Sequence, residues 1–512
     1  MSATPVTIPQ LLRSAAEEYG DHTAYVQDGR RMSFSELHAT VRGVARGLVA
    51  HGLAPRDRVV VWGPNSIDWV VAALAVTYAG GVLVPANSRY TGAEVADLVQ
   101  RTGAPIVLLE DGFLGRSQIR ELETAGELVC LQEIIQLSDL AHVTRTGTQV
   151  PEADLDARAA AVTADDVADI LFTSGTTGRS KGAMSAHRQS IGVSRAWAQL
   201  GGVRQDDRYL VVNPFFHSFG YKIGILVGLL TGCTLYPVAT FDLAATMRLI
   251  QDEQITVLPG APTIYQSILS APSRGEHDLS SLRLAVTGAA VVPVVLIERM
   301  RAAAPEGLGI DQVVTAFGMT EAVVVTMCRQ GDSAETVATT CGRAIPGMQT
   351  RIDSPADDGS GELLVRGDHV MLGYLDDPDA TAEAIDADGW LHTGDVGILD
   401  EAGNLRITDR LKDMYISGGF NVYPAEVEQA LLHMDGIADV AVVGVPDERM
   451  GEVGKAYVVA ATGHAVEPEA VAAFARERLA NFKVPRHVEL TDALPRNLSG
   501  KVLKTDLRKA TD

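Results

Sequence analysis

The sequence predicts an α/β protein: a large N-terminal domain of doubly wound α/β layers with a β-rich subdomain, then a small, mobile α+β C-terminal domain. Three observations predict it. Uncharged runs at residues 59–62, 82–85, 106–109, 170–172, 209–212, 257–259 and 284–287 alternate with helix-length segments, as strands covered on both faces by crossover helices do. From about Ile352 the pattern changes to short strands between turn residues, such as GELLVRG (361–367) and GNLRIT (403–408). Past Asp409 and Arg410 a compact pattern follows, with a helix from Pro424, strands near Val440 and Val458, and a helix over 470–479.

Taken in order, residues 7–20 read as an amphipathic surface helix with its acidic residues outward. Residues 69–86 are uncharged and long enough to raise the question of a membrane span. Gly80, Gly81 and Pro85 divide them, so a buried helix, a turn and a buried strand are expected. Residues 223–240 read the same way around Gly228, Thr231 and Gly232. The domain boundary falls at 410–413, giving domains 1–410 and 411–512, and the short junction predicts a hinge over a cleft.

With 43 Lys+Arg against 65 Asp+Glu, the net charge of −22 repels nucleic-acid phosphates and excludes that class of partner. An acidic protein that handles anions must concentrate N–H and cationic groups locally. Cys130, Cys233, Cys328 and Cys341 form neither a C-x-x-C pair nor a disulfide framework, and the N-terminus shows no export pattern, so a cytoplasmic protein is expected.

The most informative segment is DILFTSGTTGRSKG (169–182), an apolar strand running into a loop of Gly, Ser and Thr with one lysine. Glycines admit close backbone approach, hydroxyls add donors and Lys181 adds a positive charge, so the loop reads as a phosphate cradle. It fails the Walker A spacing, because Ser180 stands five residues after Gly175. Residues 178–182 match G-x-S-x-G, but a nucleophile elbow needs a sharp strand-to-helix turn. A plain solvated linker has no need of so apolar a strand before it.

This loop resembles the signature of the adenylate-forming superfamily of acyl-CoA synthetases, luciferases and peptide-synthetase adenylation domains. AFGMTE (316–321), GWLHTGD (389–395), TDRLKD (408–413), GGFNVYP (418–424) and PRNLSGK (495–501) resemble its other motifs in the same order, covering residues 169–501. The resemblance implies an AMP-forming acid–CoA ligase that uses ATP, Mg²⁺ and coenzyme A on a small-molecule carboxylic acid. By the same resemblance, Thr173, Ser174, Gly175, Thr176, Thr177, Gly178 and Lys181 hold phosphates, and Glu321 with Thr177 attends the metal. Thr320 binds near the α-phosphate. Gly288, Ala289, Ala290, Phe317, Gly318 and Met319 flank the adenine, where Phe317 replaces a frequent Tyr and keeps stacking without the phenol. Asp395 accepts from the ribose hydroxyls, supported by Ile407 and Arg410. Lys501 enters the site during adenylation, Lys412 is the hinge, and Gly418 and Gly419 line the CoA tunnel. Without these neighbours, Thr320-Glu321 would read as a helix N-terminus, Asp395 as a turn residue and Lys501 as part of a basic tail.

NPFFHSFGYK (213–222) resembles the aromatic segment beside the acid. His217 is the carboxylate neighbour, and Tyr221, Lys222, Gly260, Pro262, Met319 and residues 323–325, led by Val323, line the pocket by analogy. A lysine beside an apolar pocket costs solvation. Lys222 therefore points to the surface, the reading adopted, or meets a distal oxygen of the substrate. FHSFGYK (216–222), residues 409–428 and NFKVPR (481–486) resemble actinobacterial ligases that activate the propanoate side chain of steroid C/D-ring remnants, which implies a bicyclic keto-acid or else a fatty acid. An acyl-AMP ligase serving a carrier protein shares the adenylation residues, but no carrier domain follows Lys501. A nucleotide sensor would lack Lys501 or the phosphate loop. A homodimer is compatible with the sequence.

Overall fold

The structure is a computed structural model that describes residues 6–173, 180–288, 292–356, 359–410, 413–417, 420–422, 424–447, 450–479, 483–496 and 502–509. Among these, two large sheets share one core. The first runs in the order Arg343–Ala344, Thr326–Met327, Gln312–Phe317, Leu284–Gly288, Val257–Pro259, Arg208–Val211, Thr234–Pro237, Thr23–Gln27, Arg30–Ser33, and its central strands are parallel. The second runs Gly373–Tyr374, Gly182–Ala186, Val167–Phe172, Val82–Ala86, Arg58–Trp62, Ile106–Leu109, Glu133–Gln136. All seven uncharged runs of the sequence are strands of these sheets.

The helices start where their caps specify. Ser33 and Glu36 form a capping box at Phe34–Ala50, Thr91 and Glu94 another at Gly92–Thr102, and Gly103 ends the latter in a left-handed conformation. Ile8–Tyr19 is the expected amphipathic helix, burying Ile8, Leu11, Leu12 and Ala15. Ile67–Tyr78 is buried all round except at Asp68, followed by a turn and the Val82–Ala86 strand, which accounts for the apolar run at 69–86. The 223–240 run likewise resolves into helical residues and the Thr234–Pro237 strand, its first part a π-helical segment, Phe219–Leu226. No described helix is long and apolar enough to cross a membrane.

The expected β-rich subdomain is an antiparallel sheet of Met348–Asp353, Gly361–Gly367, Leu391–Leu399 and Leu405–Arg410. Beyond it, Tyr415–Ser417, Phe420–Val422, Ile437–Asp447, Gly451–Ala460 and His487–Leu490 form a separate sheet. The helices Pro424–Leu432 and Pro468–Arg478 cover it, with a core of their own around Val427, Leu431, Val442, Val458 and Val471.

Candidate active site

In a parallel sheet with helical crossovers, ligands gather beyond the carboxyl ends of the strands. Here those ends carry residues singled out from the sequence. Gln312–Phe317 leads into Gly318 and Met319, Leu284–Gly288 ends at Gly288, Val257–Pro259 leads to Gly260 and Pro262, and Arg208–Val211 leads into the segment holding His217. Gly288 and Ala316 are partners in register, and Gly260 N–H donates to Val286 O at 2.9 Å, so neighbouring strand ends are stitched together.

The phosphate loop closes an antiparallel hairpin. Val167–Phe172 pairs with Gly182–Ala186, and Thr173 N–H donates to Lys181 O at 2.9 Å across its neck. A strand, not a helix, follows the loop, so the G-x-S-x-G match at 178–182 is no nucleophile elbow. Arg101 braces the neck, with its guanidinium 4.8 Å from the Phe172 ring centre and a hydrogen bond of 3.4 Å to Ser180 Oγ.

Gly373–Tyr374 adds a short strand to this hairpin, and sequence reading had not marked Tyr374. Lys181 Nζ lies 5.0 Å from the centre of its ring, and its hydroxyl donates to Glu321 Oε1 at 2.9 Å. Tyr374 thus joins the loop lysine to the carboxylate expected at the metal. Burial first, and then Glu321 beside it, push the Tyr374 pKa far up, so the phenol remains a donor. Its only sequence signal was a Gly-Tyr pair after an apolar stretch.

No helix follows Thr320, so the helix-cap reading of Thr320-Glu321 falls. The chain makes a tight turn instead, with Val325 N–H donating to Phe317 O at 2.9 Å. A Cβ on Gly318 would stand 1.8 Å from Val323 O, which only glycine allows. Val323 itself has φ +54°, a conformation a β-branched residue adopts at a cost of about 1–3 kcal/mol. Such strain collects at functional turns, and here it aims the 323–325 backbone. Glu321 is 8% exposed, and Met371 N–H donates to its carbonyl at 2.7 Å.

Asp395 is not a turn residue either. It lies inside the Leu391–Leu399 strand, is 3% exposed, and pairs in register with Arg410. Ile407 sits on the same neighbouring strand, opposite Gly397.

On the acid side, Asn65 holds the His217 segment in place: its amide donates to Asn213 O at 3.0 Å and its oxygen accepts from Phe215 N–H at 2.7 Å. A Cβ on Gly220 would meet Pro214 O at 2.1 Å, so the segment folds tightly on itself. His217 is exposed at its surface, with protein packed around the rest of the ring. That surrounding disfavours the imidazolium and lowers its pKa. Phe219 N–H donates to His217 Nδ1 at 3.2 Å, which places the proton of the neutral ring on Nε2. Tyr221 is fully buried, edge-on to Trp69.

The surface orientation expected of Lys222 is wrong. Lys222 is 0% exposed and forms an ion pair of 2.9 Å with Asp169, also 0% exposed, while donating to Ser185 Oγ at 2.8 Å. Its ammonium is enclosed by protein and already meets two oxygens there. Asp169, at the root of the phosphate hairpin, is what the sequence reading lacked.

Ser174, Gly175, Thr176, Thr177, Gly178, Ala289, Ala290, Lys412, Gly418, Gly419 and Lys501 lie outside the described residues, as does the Arg410 side chain. Among the described residues no cluster of three or more His, Cys, Asp or Glu is built to hold a metal. Mg²⁺ is commonly held by one or two carboxylates together with substrate phosphates, and Glu321 fits that use. It is a mostly buried carboxylate with one oxygen accepting from the Tyr374 hydroxyl.

A model of the AMP-binding enzyme family matches residues 12–375, and one of the AMP-binding enzyme C-terminal domain matches residues 426–501. The chain is 54% identical to the 3-[(3aS,4S,7aS)-7a-methyl-1,5-dioxo-octahydro-1H-inden-4-yl]propanoyl:CoA ligase of Rhodococcus jostii, covering 99% of each chain. It is equally 54% identical to the protein of that name from Mycobacterium tuberculosis, covering 98% of each. Among solved structures it is similar to ATP-bound MatB from Rhodopseudomonas palustris, with 30% identity and a TM-score of 0.87 over 98% of this chain and 99% of that one. The two family matches follow one another in the order of the motifs and leave little of the chain outside them: it belongs to the AMP-binding enzyme family.

Proposed function

We propose that the protein is an ATP-dependent, AMP-forming acid–CoA ligase acting on a steroid-derived bicyclic keto-propanoate. The observation that carries the reading is Tyr374, which stands between Lys181 of the phosphate hairpin and Glu321, in a chain 54% identical to two propanoyl:CoA ligases. In the first half-reaction an acid oxygen attacks the α-phosphorus of ATP, giving acyl-adenylate and pyrophosphate. In the second, the thiol sulfur of CoA attacks the acyl carbon and AMP leaves.

The residues divide this work. The hairpin from Thr173 to Lys181, with Ser174, Gly175, Thr176, Thr177 and Gly178 between, supplies N–H, hydroxyl and ammonium groups to the phosphates, and Tyr374 keeps Lys181 and Glu321 close together. Bound Mg²⁺ would be held by Glu321 and Thr177 and would neutralise phosphate charge. Neutral His217, with Nδ1 accepting from Phe219 N–H, donates its Nε2–H to the acid carboxylate. Asp395, Ile407 and Arg410 hold the ribose; Gly288, Ala289, Ala290, Phe317, Gly318 and Met319 flank the adenine; Thr320 lies near the α-phosphate. Tyr221, Gly260, Pro262 and Val323 shape the acid pocket. Lys501 stabilises the attacking oxygen, an electrostatic contact commonly worth roughly 10²–10³ in rate. Rotation at Lys412, between domains 1–410 and 411–512, then exchanges Lys501 for Gly418 and Gly419 along the CoA path.

Four free cysteines suit a reducing cytoplasm, the compartment proposed. Incubating the protein with ATP, Mg²⁺, CoA and a panel of fatty, aryl and bicyclic keto-propanoic acids, with thioesters read by mass spectrometry, tests the substrate. The bicyclic acid should be turned over at least about tenfold faster than the others. Faster turnover of fatty acids would remove the substrate proposal and keep the reaction class.

A further inference from the structure

The reaction as described makes no use of the fully buried Asp169–Lys222 pair, yet its placement is specific. Asp169 and Ser185 face each other in register across the phosphate hairpin, and both reach Lys222 Nζ, at 2.9 and 2.8 Å. Ser190 Oγ donates to the other Asp169 oxygen at 2.8 Å, and Ser194 Oγ donates to Lys222 O at 2.8 Å. Both serines belong to the helix His187–Gly201, which directly follows the hairpin. Lys222 stands in the π-helical segment Phe219–Leu226, whose Tyr221 N–H donates to His217 O at 3.0 Å. The hairpin belongs to one large sheet, whereas the His217 segment continues from a strand of the other. One ion pair thus ties together the two elements expected to hold the two reacting groups.

Stability does not account for such a pair. Desolvation offsets most of the attraction between buried charges, and apolar residues of equal volume are often as stable or more so. What an ion pair supplies that apolar contacts do not is a single registry, since apolar side chains can slide past one another while a lysine with two oxygen partners cannot. π-Helical turns within helices also occur frequently at functional sites.

We propose that the Asp169–Lys222 pair, capped by Ser185, is a positioning latch that fixes the phosphate hairpin against the His217 segment and so sets the distance from carboxylate to α-phosphorus. The proposal rests on the assignment of that hairpin and segment to the two substrates. Near-attack geometry needs about 3–3.5 Å between reacting atoms, and a displacement of about 1 Å can cost roughly a hundredfold. The latch therefore acts on the rate of adenylation rather than on the affinity of either substrate alone, and not on thioester formation.

The test is the neutral, volume-matched double variant Asp169→Asn/Lys222→Met, assayed by acid-dependent ATP–pyrophosphate exchange and, separately, by thioester formation from supplied acyl-adenylate. The latch predicts a folded protein whose exchange kcat falls at least about tenfold, KM values within about threefold, and an unchanged second half-reaction. Exchange within twofold of wild type, or equal loss in both half-reactions, would overturn it. Ser185→Ala keeps the test open should the double variant not fold: exchange should fall about threefold with thioester formation intact, and unchanged exchange counts against the latch. Lys181→Ala separates the two levels. A wild-type rate there overturns the site assignment and the latch with it, while a defective Lys181→Ala beside a fully active double variant overturns the latch alone.

Discussion

Replacing Tyr374 by Phe removes one atom and asks what it does. The hydroxyl donates to Glu321 Oε1 at 2.9 Å, a hydrogen bond to a carboxylate that is 8% exposed. Bonds to charged groups contribute about 1.5–3 kcal/mol. With Tyr374 only half-buried, the lower part of that range applies, about 1.5–2 kcal/mol, or roughly 10–30-fold in rate if the carboxylate orientation matters for the metal. The ring under Lys181 Nζ, 5.0 Å away, is kept. Acid-dependent ATP–pyrophosphate exchange, measured over a range of Mg²⁺ concentrations, should therefore fall about tenfold or more at limiting Mg²⁺ and recover in part as Mg²⁺ rises. Tyr374→Ala, which also removes the cation–π contact, should lose a further factor of about 2–30. Exchange by Tyr374→Phe at the wild-type rate across the whole Mg²⁺ range would refute the role given to the hydroxyl, and identical losses in the two variants would refute that of the ring.

Lys501→Ala should lower adenylation by roughly 10²–10³ while sparing thioester formation from supplied acyl-adenylate; equal loss of both steps contradicts its role. Lys412→Pro, by restricting φ at the hinge, should impair thioester formation more than adenylation, and unchanged second-step kinetics would count against the domain rotation. His187 is buried, accepts from Ile8 N–H through Nδ1 at 3.2 Å, and has its pKa lowered to about 4 by that burial. The unfolded chain therefore takes up its proton first, near pH 6.5, so stability is full above that pH and declines until about pH 4. The loss is of the order of 3 kcal/mol. Urea midpoints measured from pH 7 to pH 4 should decline less steeply in His187→Asn, and parallel curves would exclude the histidine as the cause.

The sequence made the strands legible because both faces are buried: 59–62 and 106–109 are continuous apolar runs, and each is a central strand. The phosphate hairpin could be read because glycines, hydroxyls and a lysine after an apolar strand have few other uses. Lys222 was misread for a definite reason. A lysine in an apolar run points outward unless a partner exists, and its partner, Asp169, stands 53 positions earlier, at the start of the loop motif, where it passes for an ordinary strand polar residue. Tyr374 and Asn65 were missed likewise, since their partners Glu321 and the Asn213 and Phe215 backbones lie on distant stretches of chain. Val323 carries no sequence sign of its left-handed backbone, nor Gly318 of the carbonyl packed against it, Val323 O, which would stand 1.8 Å from any Cβ there.

The central claim is that the acid is activated as an acyl-adenylate by attack of its own oxygen on the α-phosphorus. A complete reaction with acid labelled by ¹⁸O in the carboxylate tests it most directly, with AMP and pyrophosphate analysed by mass spectrometry. The account predicts one ¹⁸O in each AMP and none in pyrophosphate, because the oxygen that attacks phosphorus leaves with AMP when the thiol takes the acyl group. Unlabelled AMP, or label in inorganic phosphate accompanied by ADP, would contradict it.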